Sequence, residues 1–220
     1  MTSIKASLDF IDKNESTYNK KLLWLVYLRN MHLIFFIFLT FIVINRPSWQ
    51  VNKEQVGEDY FLAFVMVSEF LIVLFSFFTV FTPKNRPRAK HEFNLRNKKE
   101  AVGLALPIMV FILLSFSYMT MMPLPSGILF SVFLFNGIVV FLSIIMQPAI
   151  IYLYEANVFE KDQTTILDYA FKYFAIFTSS INYYVQRELA ELPLILNKVL
   201  AVLFFIIWTF QTFFYAGIFG

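Results

Sequence analysis

The chain is dominated by apolar blocks too long to be the buried face of a soluble helix. Leu23 to Ile44, Tyr60 to Phe81, Ala101 to Met122, Ile128 to Tyr154 and Leu194 to Phe219 each run for 22 residues or more with few charges. About 20 such residues in a helix cross the roughly 30 Å of hydrocarbon in a bilayer. Composition agrees, with 59% hydrophobic and only 15% charged residues, against about 45–50% and about 25% in soluble domains. An ordinary globular enzyme and a disordered tail are both excluded. The expected fold is an all-α integral membrane protein, a polytopic bundle of five to six transmembrane helices. Residues 1–21 form a polar N-terminal segment and 22–220 the transmembrane domain.

Breaks between the blocks follow turn chemistry. Asn45-Arg46-Pro47 ends the first span and Thr82-Pro83 the second, since proline lacks an N–H and biases its predecessor away from helix. Pro123-Leu124-Pro125-Ser126-Gly127 is a short uncharged turn that makes the third and fourth spans an antiparallel hairpin. Glu155 to Gln163 reads as an acidic loop. Within 1–21, Ile4, Leu8 and Ile11 stand at helical spacing and suit a segment lying on the membrane surface or a partner. With Asp9, Asp12 and Glu15 and no apolar core, this segment matches neither a cleavable signal nor an Arg-rich presequence.

The number of spans turns on residues 164–190. Thr165, Asp168, Lys172, Ser179, Asn182 and Gln186 are spaced by 3, 4, 7, 3 and 4, which puts them on one face of a helix. Such a helix either lies in the membrane interface or spans with its polar stripe hidden in the bundle or against another subunit. Asp168 and Lys172 stand i, i+4 and are expected to pair, easing their burial.

Lys and Arg counts set the orientation. An inside N-terminus collects Lys5, Lys13, Lys20 and Lys21 with Lys84, Arg86, Arg88, Lys90, Arg96, Lys98 and Lys99, leaving Arg46 and Lys53 outside. This asymmetry predicts an N-terminus on the matrix or cytoplasmic side. Trp24 and Trp49 flank the first span as aromatic-belt residues would. Phe, Tyr, Ile, Asn and Lys use AT-rich codons. Their abundance points to an AT-rich genome, hence to the mitochondrial inner membrane, with a bacterial plasma membrane as the alternative.

Several polar groups sit where they must be explained. Glu69 lies in mid-span, where an exposed carboxylate costs roughly 2.5–3.5 kcal/mol. It is either a proton or cation relay or a neutralised, hydrogen-bonded structural acid. His32 is the one histidine inside an apolar block, too few for bis-histidine haem ligation. Arg29 can snorkel to the inner surface. Asn136, Ser143 and Gln147 recur at intervals of 7 and 4 on one face of the fourth span, where polar residues hold helices together or line a solute path. Together Glu69, His32, Asn136, Gln147, Asp168 and Lys172 are the candidate buried polar or relay residues. Arg86, Arg88, Lys98 and Lys99 are candidate contacts for anionic lipid head groups such as cardiolipin. The adjacent Phe pairs at 35–36, 77–78, 204–205 and 213–214 read as lipid-facing bulk.

Absences narrow the function. Cys is missing, which removes thiolate metal and Fe–S sites and cysteine nucleophiles. There is no phosphate loop, HExxH motif or nucleophile elbow. No catalytic residue, cofactor, metal or nucleic-acid partner is expected. With 6 Gly, the helices suit filling space more than forming close-packed channels. The expectation is a non-catalytic integral subunit of a larger energy-transducing membrane complex, of respiratory-chain or ATP-synthase type, with other membrane subunits as partners. The alternative is a small transporter or channel using Glu69 and the polar faces of the fourth and 164–190 helices.

Overall fold

The computed structural model describes residues 25, 28–29, 31–49, 56–78, 96–159 and 163–219. Helices α1 (Met31–Ile44), α2 (Val56–Phe78), α3 (Lys98–Ser115), α4 (Ser126–Phe159), α5 (Ile166–Leu189) and α6 (Leu194–Phe219) follow in order, and no strand occurs among the described residues. Three helical segments are long and apolar enough to cross a membrane: Lys98–Tyr118, Ser126–Phe159 and Leu194–Phe219. The amphipathic segment 1–21, Arg86 and Arg88 lie outside the described residues.

Four helices alternate in direction. Trp49 of the α1 exit packs on Phe61 and His32 meets Glu69, so α1 and α2 are antiparallel. Gln211 reaches Phe64 and Phe213 meets Tyr60, which reverses α6 against α2. Asn197 bonds Gln147 while Tyr215 bonds Ser126, which reverses α6 against α4. One end of the bundle therefore gathers the end of α1, the α3–α4 turn and the end of α6. Asn45 ties it, donating to Pro123 O at 3.0 Å and Ser126 Oγ at 2.8 Å.

Helix α5 does not join this alternation. Contacts with α3 rise together along both helices, Gly103 at Tyr169 and Phe111 at Phe174 and Phe177. Contacts with the first part of α4 also rise together, Asn136 at Phe177, Ser143 at Asn182 and Gln147 at Gln186. Yet α3 and α4 form an antiparallel hairpin, with Phe111 against Phe135 and Tyr118 against Phe130. A straight helix runs parallel to both only if they splay and it lies obliquely across the gap. Close approach on the α3 side requires Gly103, where a Cβ would stand 2.3 Å from Tyr169 Cβ.

Two features of α4 differ from expectation. Its helix continues through Glu155 to Phe159, where the sequence suggested a loop. Glu155 accepts from Tyr183 Oη at 2.8 Å, which gives that turn a tertiary anchor. The helix also kinks at Met146 (φ −119°, ψ 38°), two residues before Pro148. Beyond the kink the order of contacts reverses, with Tyr154 stacked on Tyr183 and Asn157 O accepting from Gln163. The end of α4 thus doubles back along α5.

The Phe pairs are not uniformly outward. Phe35 and Phe204 are buried, while Phe36 is exposed. Successive residues on a helix point about 100° apart, so one ring of each of these pairs enters the core. Trp49 is buried too, its Nε1 donating to Ile42 O at 3.3 Å, and it covers the end of α1.

Candidate functional site

Polar side chains gather in three places. The first is a seam between α4, α5 and α6. Asn136 Nδ2 donates to Phe177 O at 2.8 Å and to Val132 O at 2.9 Å. Asn182 Nδ2 donates to Ser143 Oγ at 2.7 Å, and Ser143 passes its own proton to Val139 O. Gln147 Nε2 donates to Gln186 O and Oε1, both at 3.0 Å, while its Oε1 accepts from Asn197 Nδ2 at 2.8 Å. All six side chains are buried. Asn136 Oδ1, Asn182 Oδ1, Asn197 Oδ1 and Gln186 Nε2 have no hydrogen-bond partner among the described residues.

The kink of α4 belongs to this seam. Pro148 has no N–H, so the Ile144 carbonyl four residues earlier loses its helical donor. Lys198 of α6 supplies another, its Nζ donating to Ile144 O. An ammonium within the last apolar block is thereby neutralised in part by a carbonyl dipole.

At the second place, α3 meets α5. Lys172 Nζ lies 3.1 Å from Glu100 Oε1, and Tyr173 Oη donates to the same oxygen at 2.9 Å. The side chains of Lys172 and Glu100 are only 6% and 3% exposed. The ammonium also lies 5.7 Å from the ring centroids of Tyr169 and Tyr173, a distance suited to cation–π attraction.

This corrects the expected Asp168–Lys172 pair. Asp168 instead occupies the N3 position of a capping box. It accepts from the backbone N–H of Thr165 at 2.8 Å and of Thr164 at 3.0 Å, while its own N–H donates to Thr165 Oγ1 at 3.2 Å. Those bonds, Thr165's first, hold the Asp168 carboxyl below its ordinary range. A capping carboxylate stabilises the helix N-terminus through orphan donors and the dipole, so Lys172 is left to find its counter-ion on α3. Of the polar stripe on α5, Lys172, Asn182 and Gln186 turn into the bundle, whereas Thr165 stays exposed at the cap.

The third place is the flank of α1 and α2, where His32 Nε2 and Glu69 Oε2 are 3.0 Å apart with side chains 29% and 39% exposed. His32 Nδ1 lies 2.9 Å from Leu28 O. A carbonyl only accepts, so Nδ1 carries a proton. The short Nε2–Oε2 contact then needs one further proton, held either as imidazolium against carboxylate or as neutral imidazole against carboxylic acid. Both arrangements are net neutral.

Of the expected lipid contacts, Lys98 is exposed in the first turn of α3, and Lys99 Nζ donates to Thr164 O at 2.9 Å. No group of three or more His, Cys, Asp or Glu side chains converges among the described residues. Sequence reasoning missed Glu100, Asn197, Lys198 and Gln211. Two signals were present: Asn197-Lys198 interrupts an apolar block, and Pro148 announces an orphaned carbonyl. Neither the known protein families, nor the curated proteins, nor the solved structures contain a match to this chain.

Proposed function

We propose that this chain is a non-catalytic integral subunit of a larger membrane complex, and that its role is to pack helices against lipid and neighbouring subunits. One observation carries the reading. The polar seam of α4, α5 and α6 and the Lys172–Glu100 pair are turned inward, while the apolar blocks face outward: only 22%, 33% and 28% of the most apolar windows of α3, α4 and α6 are buried. So much outward apolar surface is what lipid and partner helices cover. The AT-rich bias of the composition adds an energy-transducing complex of the mitochondrial inner membrane as the setting.

In this reading α1, α2, α3, α4 and α6 cross the membrane and α5 lies obliquely at its inner side. The N-terminus is then on the matrix or cytoplasmic side and the end of α6 on the other. Gathering of the α1 end, the α3–α4 turn and the α6 end at one pole supports that arrangement. Native gel electrophoresis after mild detergent extraction tests the assembly. The expected result is migration at megadalton scale with other membrane proteins. A stable lone oligomer that moves solute across liposomes would overturn it in favour of a transporter using Glu69 and the α4–α5 faces.

A further inference from the structure

The outward face of α1 and α2 carries one polar interruption. Leu62, Met66, Phe70 and Val73 of α2 are each more than half exposed, and their spacing of 4, 4 and 3 makes a single stripe along the helix. Glu69 stands on that stripe, three residues after Met66 and four before Val73. Beside it, His32 of α1 is bordered by the exposed side chains of Leu33 and Phe36. Glu69 uses only one carboxyl oxygen within the fold. Oε2 meets His32 Nε2 at 3.0 Å, whereas Oε1 has no hydrogen-bond partner among the described residues. Both ring nitrogens of His32 are engaged, Nδ1 with Leu28 O. The pair therefore offers its surroundings an acceptor and no donor. The polar seam and the Lys172–Glu100 pair, by contrast, are buried.

We propose that this face is the docking site of a transmembrane helix of a neighbouring subunit, one that presents a neutral donor, a Ser or Thr hydroxyl or an Asn or Gln amide, to Glu69 Oε1. The inference rests on the subunit reading, in which α1 and α2 cross the membrane, and names the chemistry of one partner. Lipid tails cover an apolar stripe as a helix would, but they cannot donate to Oε1, and the hydrocarbon holds no water to do so. Hydroxyl and amide side chains join helices in membranes for this reason. The 3–4 spacing of the stripe is also the spacing by which one helix packs along another. Because the His32–Glu69 pair is net neutral, a partner Lys or Arg would bring an uncompensated charge into the bilayer. A second copy of this chain would present another acceptor at this level.

The test uses native membranes in which photo-methionine, a diazirine analogue, replaces Met66, followed by photolysis and peptide mapping. The expected adduct joins Met66 to a transmembrane segment of another subunit, with Ser, Thr, Asn or Gln within one turn of the linked residue. Glu69→Leu should weaken retention of that subunit through a detergent titration about two- to tenfold, as one hydrogen bond implies. Glu69→Gln should keep it, because an amide that donates to His32 Nε2 leaves its carbonyl outward. Met66 adducts only to lipid, to this chain or its second copy, or to a helix without such a side chain would overturn the proposal. Equal losses in Glu69→Gln and Glu69→Leu, the mark of a cationic partner, would overturn it too. Chains that migrate in a large complex yet link only lipid at Met66 leave the subunit reading standing, whereas chains that migrate alone refute both. The wild-type mapping decides even where a variant fails to fold.

Discussion

Replacing Lys172 by Met should destabilise the protein far more than replacing Lys172 and Glu100 together. The charges stand 3.1 Å apart with almost no solvent contact. At an effective dielectric of about 20, their gross attraction is about 5 kcal/mol, most of it offset by the cost of desolvating both ions. Lys172→Met removes the attraction and leaves a buried carboxylate with Tyr173 as its hydroxyl donor, at an expected cost of about 3–5 kcal/mol. In Glu100→Met/Lys172→Met neither charge remains. The residual cost is the Tyr173 hydroxyl left without that acceptor, about 1–3 kcal/mol, and adding Tyr173→Phe should recover most of it. SDS-induced unfolding in mixed micelles, followed by circular dichroism, gives the free energies and the coupling term of the double-mutant cycle. Lys172→Met within about 0.5 kcal/mol of wild type, the range of ordinary surface substitutions, would refute the claim that this pair is buried and coupled.

Three further outcomes are expected. Lys198→Met strips the Ile144 carbonyl of its donor and should cost about 1–3 kcal/mol; Pro148→Ala, which restores a helical N–H to that carbonyl, should rescue it in the same unfolding assay. Gly103→Ala places a methyl 2.3 Å from Tyr169 Cβ and should cost about 1–3 kcal/mol by overpacking, whereas Gly137→Ala meets Trp208 Cδ1 at 3.3 Å and should cost less. Asp168 is held below its ordinary carboxyl range by capping bonds, so its stabilisation of α5 is fully present above the unfolded carboxyl range and lost as pH falls through the lowered folded value. Amide protection in the first turn of α5, taken relative to the intrinsic exchange rate at each pH, should therefore fall on acidification, and Asp168→Ala should remove that pH dependence.

Hydropathy made most of the helices legible because the bilayer requirement acts on long stretches and not on single residues. The last helix begins after Pro193 as expected, and the α3–α4 hairpin follows from the Pro123 to Gly127 turn. The polar face of α5 was also legible as a face, since helical spacing alone defines it. What covers that face was not. Asp168 and Lys172 offered a local pair, but backbone donors at a helix start compete for a carboxylate at N3, and Thr165-Ile-Leu-Asp168 carries that signal. Glu100 stands beside Lys98 and Lys99 at the end of a basic run, where nothing local marks it out; its burial comes from α5 lying across α3, a tertiary fact. His32 and Glu69 were separately conspicuous, and only the antiparallel register of α1 and α2 joins them.

The hydrogen bond from Lys198 to Ile144 spans 54 residues, and this separation has a consequence for biogenesis. During synthesis at roughly 5–20 residues per second, α4 waits about three to ten seconds with an orphaned carbonyl at its kink before its donor is made. Over the same interval Gln147 lacks Asn197, the Phe133 carbonyl lacks Trp208, and Ser68 lacks Gln211. All four arrive on α6. Helices α3, α4 and α5 can join before α6 is made, through Asn136, Asn182, Gln147 and the Lys172–Glu100 pair, but a nascent chain stalled before residue 194 should still present the groups that α6 satisfies to the quality-control proteases of its membrane.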